Sequence, residues 1–287
     1  MSQRSSTRLE IPHPNEPGCH IIGILEQISR PDVQNKKIAL ILHGSAGHKD
    51  YLFLKRLAMR LPMDSFRFDF RGNHETLGKW NQGGMEGDLE DLRAVVEYLK
   101  KTYGYVIDLI VGHSRGSLVG FRWMCVSEEG RSVSGFVNAS ARYRMKLIYD
   151  SPGAVQWQKT FAEQGFHVWT PVVARKTVKF EIYPEDLERF ANWDSSLVWD
   201  HFPAATDVLT IHGLSDKAVP PYDAIIYARA LGARSPGTHN LHYVEGADHN
   251  FSGLQDEIVE VILDWWQKKN SSAPTTGIWM TGTKVKL

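Results

Sequence analysis

The sequence predicts an α/β fold: a mostly parallel sheet with helices on both faces and one inserted segment. Two observations favour this fold class. Short apolar runs, which are typical of buried strands, alternate along the chain with longer runs in which apolar residues recur at helical spacing. The alternation stops once, after about residue 141, and resumes near residue 197. With 287 residues, of which 42% are hydrophobic, the chain is long enough to bury a large core.

The first half of the chain supplies predicted strands and helices in turn. Residues 1–18 are polar and rich in proline, so we expect a loose N-terminal arm there. The first part of the core follows, over residues 19–141. Strands are predicted over 20–27, 38–42, 65–70, 106–111 and 133–138, and helices over 50–61, 88–102 and 117–127.

Residues 142–196 interrupt the alternation and are predicted to form a lid over the sheet. This insertion is richer in aromatic and charged side chains than the core, with short helices expected near 153–164 and 184–192. The second part of the core, 197–270, restores the pattern. Residues 271–287 have no apolar periodicity, so we expect a mobile C-terminal tail. Within the second part, strands are predicted over 207–213 and 241–245, and helices over 222–231 and 254–269.

Composition argues against several classes of protein. The 33 basic and 33 acidic side chains cancel, so no general attraction to nucleic acid or to an anionic membrane is expected. No apolar stretch approaches the ~20 residues that a membrane-spanning helix needs. Residues 1–18 lack the apolar segment of a secretory signal, and two cysteines, Cys19 and Cys125, do not suggest a disulfide framework. We therefore expect a cytoplasmic protein, since the ending Val285-Lys286-Leu287 matches a peroxisomal address only weakly.

Ser114 is the predicted nucleophile. It lies between a predicted buried strand and a predicted helix, in the run Gly112-His113-Ser114-Arg115-Gly116. A sharp turn from strand to helix holds such a residue clear of the backbone, and glycines two positions away on either side prevent collisions within the turn.

A serine hydroxyl needs a base, and the base needs an acid to orient it. His249 follows the last predicted strand of the core, and Asp216 follows the strand before it. In a parallel sheet, reacting groups gather in the loops beyond the carboxyl ends of the strands. The order Ser114, Asp216, His249 is the order of nucleophile, acid and base that this kind of fold uses. Asp248 is the rival acid, but it adjoins His249 in sequence and is expected to point away from it.

Backbone N–H groups should stabilise the oxyanion that forms during acyl transfer. One donor is expected from Arg115, which follows the nucleophile, and the other from the loop after an early strand. In that loop, His43-Gly44-Ser45-Ala46-Gly47, the N–H of Ser45 is the first choice and that of Ala46 the second. His43 is expected to be a buried structural histidine.

These motifs resemble the α/β-hydrolase superfamily over roughly residues 35–270. Within it, the chain is similar to small esterases related to feruloyl and cinnamoyl esterases and to the serine aminopeptidase-like hydrolases. The resemblance implies ester hydrolysis through an acyl-enzyme, with no metal or organic cofactor. It rests on His43-Gly44, Asp69-Phe70-Arg71-Gly72-Asn73, Gly112 to Gly116, His212-Gly213-Leu214-Ser215-Asp216 and Gly246 to Phe251.

The sequence departs from these esterases at two places. Arg115 stands where they often carry a smaller or apolar residue, so its side chain either touches an acidic substrate or pairs with a carboxylate behind the turn. The run Asn73-His74-Glu75-Thr76 replaces a glycine-rich run that commonly ends in serine. Both departures bear on the shape and charge of the substrate pocket.

The predicted substrate is a small acyl compound, and the predicted protein is a serine hydrolase of carboxylic esters. A peptide, a thioester or a carbon–carbon bond beside a carbonyl would use the same residues, and a binding protein without catalysis is the remaining alternative. Oligomeric state is left open. Ala46 and the lid residues Trp157, Trp169 and Trp193 are candidates to line the pocket, although the tryptophans are equally expected to pack the lid onto the core.

Overall fold

The computed structural model describes residues 4–28, 36–151, 153–272 and 274–279. The strands in these ranges are β1 (Arg4–Pro12), β2 (His20–Ile28), β3 (Lys37–Leu42), β4 (Asp64–Phe68), β5 (Val106–His113), β6 (Gly135–Ala139), β7 (His167–Trp169), β8 (Val172–Val173), β9 (Lys176–Thr177), β10 (Phe180–Ile182), β11 (Asp207–Gly213), β12 (His239–Val244) and β13 (Gly277–Ile278).

Helices connect most of the strands of the core. They are α1 (Leu54–Arg60), α2 (Met85–Tyr103), α3 (Arg115–Val126), α4 (Glu128–Arg131), α5 (Ala154–Gln164), α6 (Pro184–Ala191), α7 (Leu197–Asp200), α8 (Tyr222–Gly232) and α9 (Gln255–Ser271), with a 3₁₀ helix at Met145–Asp150.

A nine-stranded sheet organises the chain, in the order β1-β2-β4-β3-β5-β6-β11-β12-β13. The strands β1 and β2 run antiparallel to each other, and β2 is antiparallel to β4. All the remaining pairs in the sheet are parallel. The predicted mostly parallel α/β sheet is therefore confirmed.

Two apolar cores, one on each face of the sheet, explain why β3 is apolar without interruption from Ile38 to Leu42. Successive side chains of a strand point to opposite faces. In β3, Leu40 and Leu42 belong to the core that includes α2, α3 and α8. Ala39 and Ile41 belong to the other core, which includes α1 and α9. Both faces of the strand are thus covered by helices.

The N-terminal segment differs from the sequence expectation. In place of a loose arm, Arg4–Pro12 forms the edge strand β1, paired with β2 over its whole length. Leu9 and Ile11 are buried, whereas the residues between and around them are exposed. This alternation is typical of an edge strand that has one face on the core and one face exposed to solvent. The expectation was therefore wrong for residues 4–12, and residues 1–3 lie outside the described ranges.

The C-terminal segment also differs from expectation. Gly277 and Ile278 pair in parallel with Asn240 and Leu241 of β12, and the Trp279 N–H donates to the Leu241 carbonyl at 2.8 Å. The expectation of a mobile tail is wrong for residues 274–279, because this segment hydrogen-bonds to β12 at the edge of the sheet. The end of the tail, including Val285-Lys286-Leu287, lies outside the described residues.

The chain between β6 and β11 contains the predicted lid. It holds the 3₁₀ helix, α5, α6 and two small antiparallel hairpins, in which β7 pairs with β10 and β8 with β9. The helices match those predicted near 153–164 and 184–192, whereas strands of two or three residues are too short to produce a sequence pattern. The boundaries 142–196 stay a prediction.

Two further observations concern the predicted location. None of the helices in the described ranges combines the length and apolarity needed to cross a bilayer. Cys19 and Cys125 are both buried and free, so they do not form a disulfide with each other.

Candidate active site

Ser114 lies at the turn between β5 and α3, in a backbone conformation that few residues adopt. Its φ is +51° and its ψ is −117°, outside the regions where non-glycine residues are comfortable. The flanking glycines make this turn sterically feasible. A Cβ on Gly112 would lie 2.6 Å from the Ser117 backbone, and one on Gly116 would lie 2.6 Å from the carbonyl oxygens of Leu42 and His43. The turn therefore excludes any side chain at both positions.

The three residues predicted to meet do meet, in one hydrogen-bonded chain. His249 Nε2 lies 3.0 Å from Ser114 Oγ, and His249 Nδ1 lies 2.7 Å from Asp216 Oδ2. The three residues follow β5, β11 and β12, whose carboxyl ends reach the same edge of the sheet. Because the carboxylate accepts the Nδ1 proton, the Nε2 lone pair faces the serine hydroxyl.

Asp216 is held by contacts on both of its oxygens. Oδ1 accepts the backbone N–H groups of Ala218 and Val219, each at 2.8 Å. Oδ2 contacts His249 and also lies 3.2 Å from His212 Nε2. Burial by itself would raise the pKa of Asp216, but the hydrogen bonds with His212 and His249 lower it well below the usual range. Asp216 is therefore ionised at neutral pH, and both of its oxygens are held in place.

Asp248, the rival acid, makes its hydrogen bonds within its own loop. Its Oδ1 accepts the backbone N–H groups of Asn250 and Ser252 at 3.0 and 2.9 Å, and the residue is exposed. His212 also contacts Asp216, and the sequence does not predict this contact. Its spacing of four residues before Asp216 gave no sign of that contact, since the two residues belong to a strand and a loop rather than to a helix.

Two further histidines support the site from behind. His113 donates from Nε2 to the carbonyl of His249 at 2.9 Å, which ties the loop that carries His249 to β5. Burial and the charge of neighbouring His249 lower the pKa of His113 to about 3, so it stays neutral. His43 accepts the Phe70 N–H on Nε2 and donates from Nδ1 to the Gly44 carbonyl. Its predicted structural role agrees with these contacts.

The loop after β3 brings backbone donors beside Ser114. A Cβ on Gly44 would lie 2.9 Å from His113 Nδ1 and 3.2 Å from Ser114 Cβ, so only glycine lets the loop approach this closely. Ser45, Ala46 and Arg115 border the same cavity as Ser114. Their backbone N–H groups have no acceptor among the described residues. They are thus available to a ligand oxygen in that cavity.

The Arg115 side chain pairs with a carboxylate behind the turn. Its Nε donates to Asp88 Oδ2 at 2.5 Å, and its Nη1 donates to the Gln82 carbonyl at 2.7 Å. The guanidinium also lies 6.0 Å from the ring centre of Trp80. Of the two roles considered for this unusual residue, the structure therefore supports the pairing, because its charge is already balanced by the acid on α2.

A cavity of about 450 Å³ opens beside Ser114, beneath the lid. Trp157 and Trp169 border it, together with Ala46 of the β3 loop. Trp193 does not: its ring lies on the Arg122 guanidinium, 4.1 Å from the ring centre. The expectation that Trp193 lines the pocket is therefore corrected: its ring packs against Arg122 of α3 and belongs to the buried core. The other apolar lid residues at the cavity are Ile148, Pro171, Val172 and Phe190.

The second unusual sequence run, residues 73–76, lies away from the cavity. Asn73 donates to the carbonyls of Phe70 and Arg71, and the Thr76 hydroxyl accepts the Ile22 N–H. The run therefore fastens a loop to β2. Side chains of Asp69, His74 and Glu75 lie close enough together to suggest a metal site. The buried ammonium of Lys49 contacts both carboxylates of this group, and the Arg8 guanidinium lies 3.6 Å from Glu75, so two cations of the chain itself already pair with them.

The family assignment follows from this fold and from comparisons with known proteins. The model of the alpha/beta hydrolase family matches residues 39–261, and the chain belongs to this family. A Saccharomyces cerevisiae protein, YDL057W, is 29% identical over 255 residues, which cover 78% of this chain and 71% of the yeast protein.

Solved structures with the same fold include esterases. Est1E from Butyrivibrio proteoclasticus, solved with ferulic acid bound, has a TM-score of 0.67 and 16% identity, over 92% of this chain and 100% of that one. The esterase Pf2001 from Pyrococcus furiosus has a TM-score of 0.61 and 18% identity, over 92% of this chain and 90% of that one. At these identities the likeness is one of fold.

Proposed function

We propose that this protein is a serine hydrolase that cleaves carboxylic esters through an acyl-enzyme intermediate. The observation that carries the proposal is the hydrogen-bonded chain from Ser114 through His249 to Asp216, at the mouth of a largely apolar cavity. The family and the esterases of similar fold support the same activity.

Acylation begins when Ser114 Oγ attacks the ester carbonyl. His249 Nε2 takes the hydroxyl proton, and the ionised Asp216 stabilises the imidazolium that forms while keeping its Nδ1–H in place. The negative charge on the carbonyl oxygen is then met by backbone N–H groups of Arg115 and of Ser45 or Ala46. As the tetrahedral intermediate collapses, His249 returns the proton to the departing alkoxide, and the alcohol leaves.

Deacylation repeats these steps with water as the nucleophile. His249 removes a proton from the water, the hydroxide oxygen attacks the acyl carbonyl, and the carbon–oxygen bond to Ser114 breaks. The proton on His249 goes to Ser114 Oγ, which restores the enzyme and releases the carboxylic acid. Every proton in the cycle passes through one histidine nitrogen, which requires no further titrating group at the site.

A fluorophosphonate probe tests the nucleophile directly. The wild-type protein should be labelled covalently, and Ser114→Ala should abolish the labelling because the attacking oxygen is gone. Ser117→Ala is the matched control, since it removes a buried hydroxyl three residues further along the same turn and helix. Labelling that persists in Ser114→Ala, or is absent from the folded wild type, would show that the mechanism is wrong.

The bond that is cleaved requires a separate assay. We expect turnover of 4-nitrophenyl esters and of feruloyl esters, with no turnover in Ser114→Ala. If the protein is labelled by the probe but hydrolyses only peptides, thioesters or carbon–carbon bonds, the proposed nucleophile stands and the proposed ester substrate is wrong.

A further inference from the structure

Arg142 is a buried arginine beside the Ser114 turn. It follows the end of β6 by three residues, and this strand end touches the turn, because the Ser114 N–H donates to the Ala139 carbonyl at 2.7 Å. Arg142 borders the cavity that Ser114 opens into, yet the residue is only 6% exposed. The cavity therefore contains a cationic side chain that is held almost entirely inside the protein.

The Arg142 guanidinium lacks a carboxylate partner. Among the described residues its one hydrogen bond runs from Nη2 to the Ala218 carbonyl, and no described carboxylate lies within 4.0 Å of it. Its Nε and Nη1 have no hydrogen-bond partner among the described residues, and neither is among the fully enclosed polar atoms. Because Arg142 borders the cavity, a cation with unpaired donors lies beside the space where a substrate would bind.

Two carboxylates lie near Arg142, but both are already occupied. Asp223 accepts hydrogen bonds from the Arg144 guanidinium and from the Tyr143 N–H. Asp216 is saturated by His249, His212 and its own loop. They favour the charge of Arg142 from a distance, while burial lowers its pKa from the usual value of arginine. Arginine nevertheless stays protonated in proteins, so the side chain is a cation.

The charge balance of the cavity points to an anionic ligand. None of the described residues that border it is an aspartate or a glutamate. Its other arginine, Arg115, is neutralised by Asp88 at 2.5 Å. A buried charge without a partner is costly, and protein folds usually pair it. Because Arg142 borders the cavity, a ligand bound there can supply the missing partner.

We propose that the substrate of this enzyme is an ester that carries a second, ionised carboxyl group, which pairs with Arg142 while the ester carbonyl lies against Ser114. Arginine binds carboxylates through charge-assisted N–H donors, and Nε and Nη1 of Arg142 each have such a donor without a partner among the described residues. A cavity of about 450 Å³ accommodates a small molecule of this kind. The inference rests on the proposed ester hydrolysis and adds the charge of its substrate.

The test compares esters that differ only in this charge. One pair places it on the acyl side: the mono-4-nitrophenyl ester of adipic acid and the same ester with its free carboxyl group replaced by a carboxamide. The other pair places it on the leaving group: 3-carboxyphenyl and 3-carbamoylphenyl hexanoate. In one of the two pairs, we expect the wild-type kcat/KM for the carboxylate to exceed that for the amide about tenfold or more, as a charge-assisted hydrogen bond provides.

Variants of Arg142 then assign the preference to this residue. Arg142→Gln should bring the ratio of the two kcat/KM values close to one, and Arg142→Lys should retain part of the preference. The matched control is Arg122→Gln, which removes an arginine that packs on the Trp193 ring and does not border the cavity, so the ratio should stay unchanged. Thermal melting establishes that each variant is folded.

Different failures separate the two proposals. If the esters are hydrolysed without preference for the carboxylate in either pair, or if Arg142→Gln keeps the wild-type ratio, the anion site is overturned while the esterase stands. If no ester is hydrolysed and the fluorophosphonate probe does not label Ser114, the proposed function itself has failed. The wild-type preference is measured without any variant, so the test does not depend on how the Arg142 variants fold.

Discussion

Replacing Asp216 by asparagine tests the proposed mechanism at its most constrained position. The Ala218 and Val219 N–H groups both donate to Oδ1, so an asparagine oxygen must occupy that side. Its NH₂ group then faces His249 Nδ1, in the place of the acceptor Oδ2. Histidine would have to accept this hydrogen bond on Nδ1 and carry its proton on Nε2. In that tautomer, Nε2 cannot take the proton of Ser114.

The expected result is a fall in kcat of roughly 10⁴-fold, the size of effect that a wrong histidine tautomer produces in serine hydrolases of this type. Because the variant also loses the charge that stabilises the imidazolium, the loss should appear in kcat more than in KM. The assay is steady-state hydrolysis of a 4-nitrophenyl ester at neutral pH, with thermal melting to show that the variant is folded.

Asp248→Asn is the matched control for Asp216→Asn. It changes an exposed aspartate next to His249 that bonds only to its own loop, so kcat should stay near the wild-type value. The reasoning is refuted if Asp216→Asn retains more than about a tenth of the wild-type kcat, or if Asp248→Asn shows the large loss instead.

Two other predictions concern the turn and the pH dependence of stability. Gly112→Ala places a Cβ 2.6 Å from the Ser117 backbone, so it should lower the free energy of unfolding by about 1–3 kcal/mol and abolish fluorophosphonate labelling. Burial, and then the charge of Arg234, lower the pKa of His239 to about 3. Between about pH 6.5 and pH 5, His239 therefore binds a proton in the unfolded chain but stays neutral in the folded protein. This difference should lower the free energy of unfolding of the wild type by about 2 kcal/mol, and His239→Gln should lack this part of the decrease.

Urea unfolding measures both effects. Gly232→Ala is the control for the turn, since its Cβ would meet only the Thr276 methyl carbon, at 3.4 Å, and stability should not fall. A stable, fully labelled Gly112→Ala would contradict the steric argument.

For His239, the contribution of the neutral side chain to the free energy of unfolding is complete above the pKa of histidine in the unfolded chain, and it is lost as the pH falls. His20→Gln, at an exposed histidine, should lose as much stability between pH 7 and pH 5 as the wild type. Equal losses in the wild type and His239→Gln would contradict the assignment.

The core elements could be predicted because their signals are local. A strand covered by helices on both faces is apolar through its buried centre, as β3 is from Ile38 to Leu42 and β5 from Leu109 to Val111. An amphipathic helix such as α2 shows its buried stripe directly. The edges could not be predicted in this way. β1 and β13 depend on pairing with a neighbouring strand, β2 or β12, and their own residues are mostly polar or few.

The candidate site shows the same division. Ser114, Asp216 and His249 were proposed from motif and chain order, because parallel strands bring their carboxyl ends to one edge of the sheet. The contacts of His212 with Asp216 and of His113 with the His249 carbonyl were not anticipated. Each depends on the direction of a side chain across two strands, which no spacing along the sequence determines.

By itself, the sequence determined the class of fold, the strained turn at Ser114 and the order of the residues proposed around it, since backbone sterics and apolar periodicity act over short distances. Only the tertiary structure decided how the two unusual arginines differ. Arg115 is paired with Asp88, whereas Arg142, to which the sequence drew no attention, borders the cavity without a carboxylate partner. The pairing of a buried charge depends on which distant groups packing brings within reach, and that is settled only when the chain is folded.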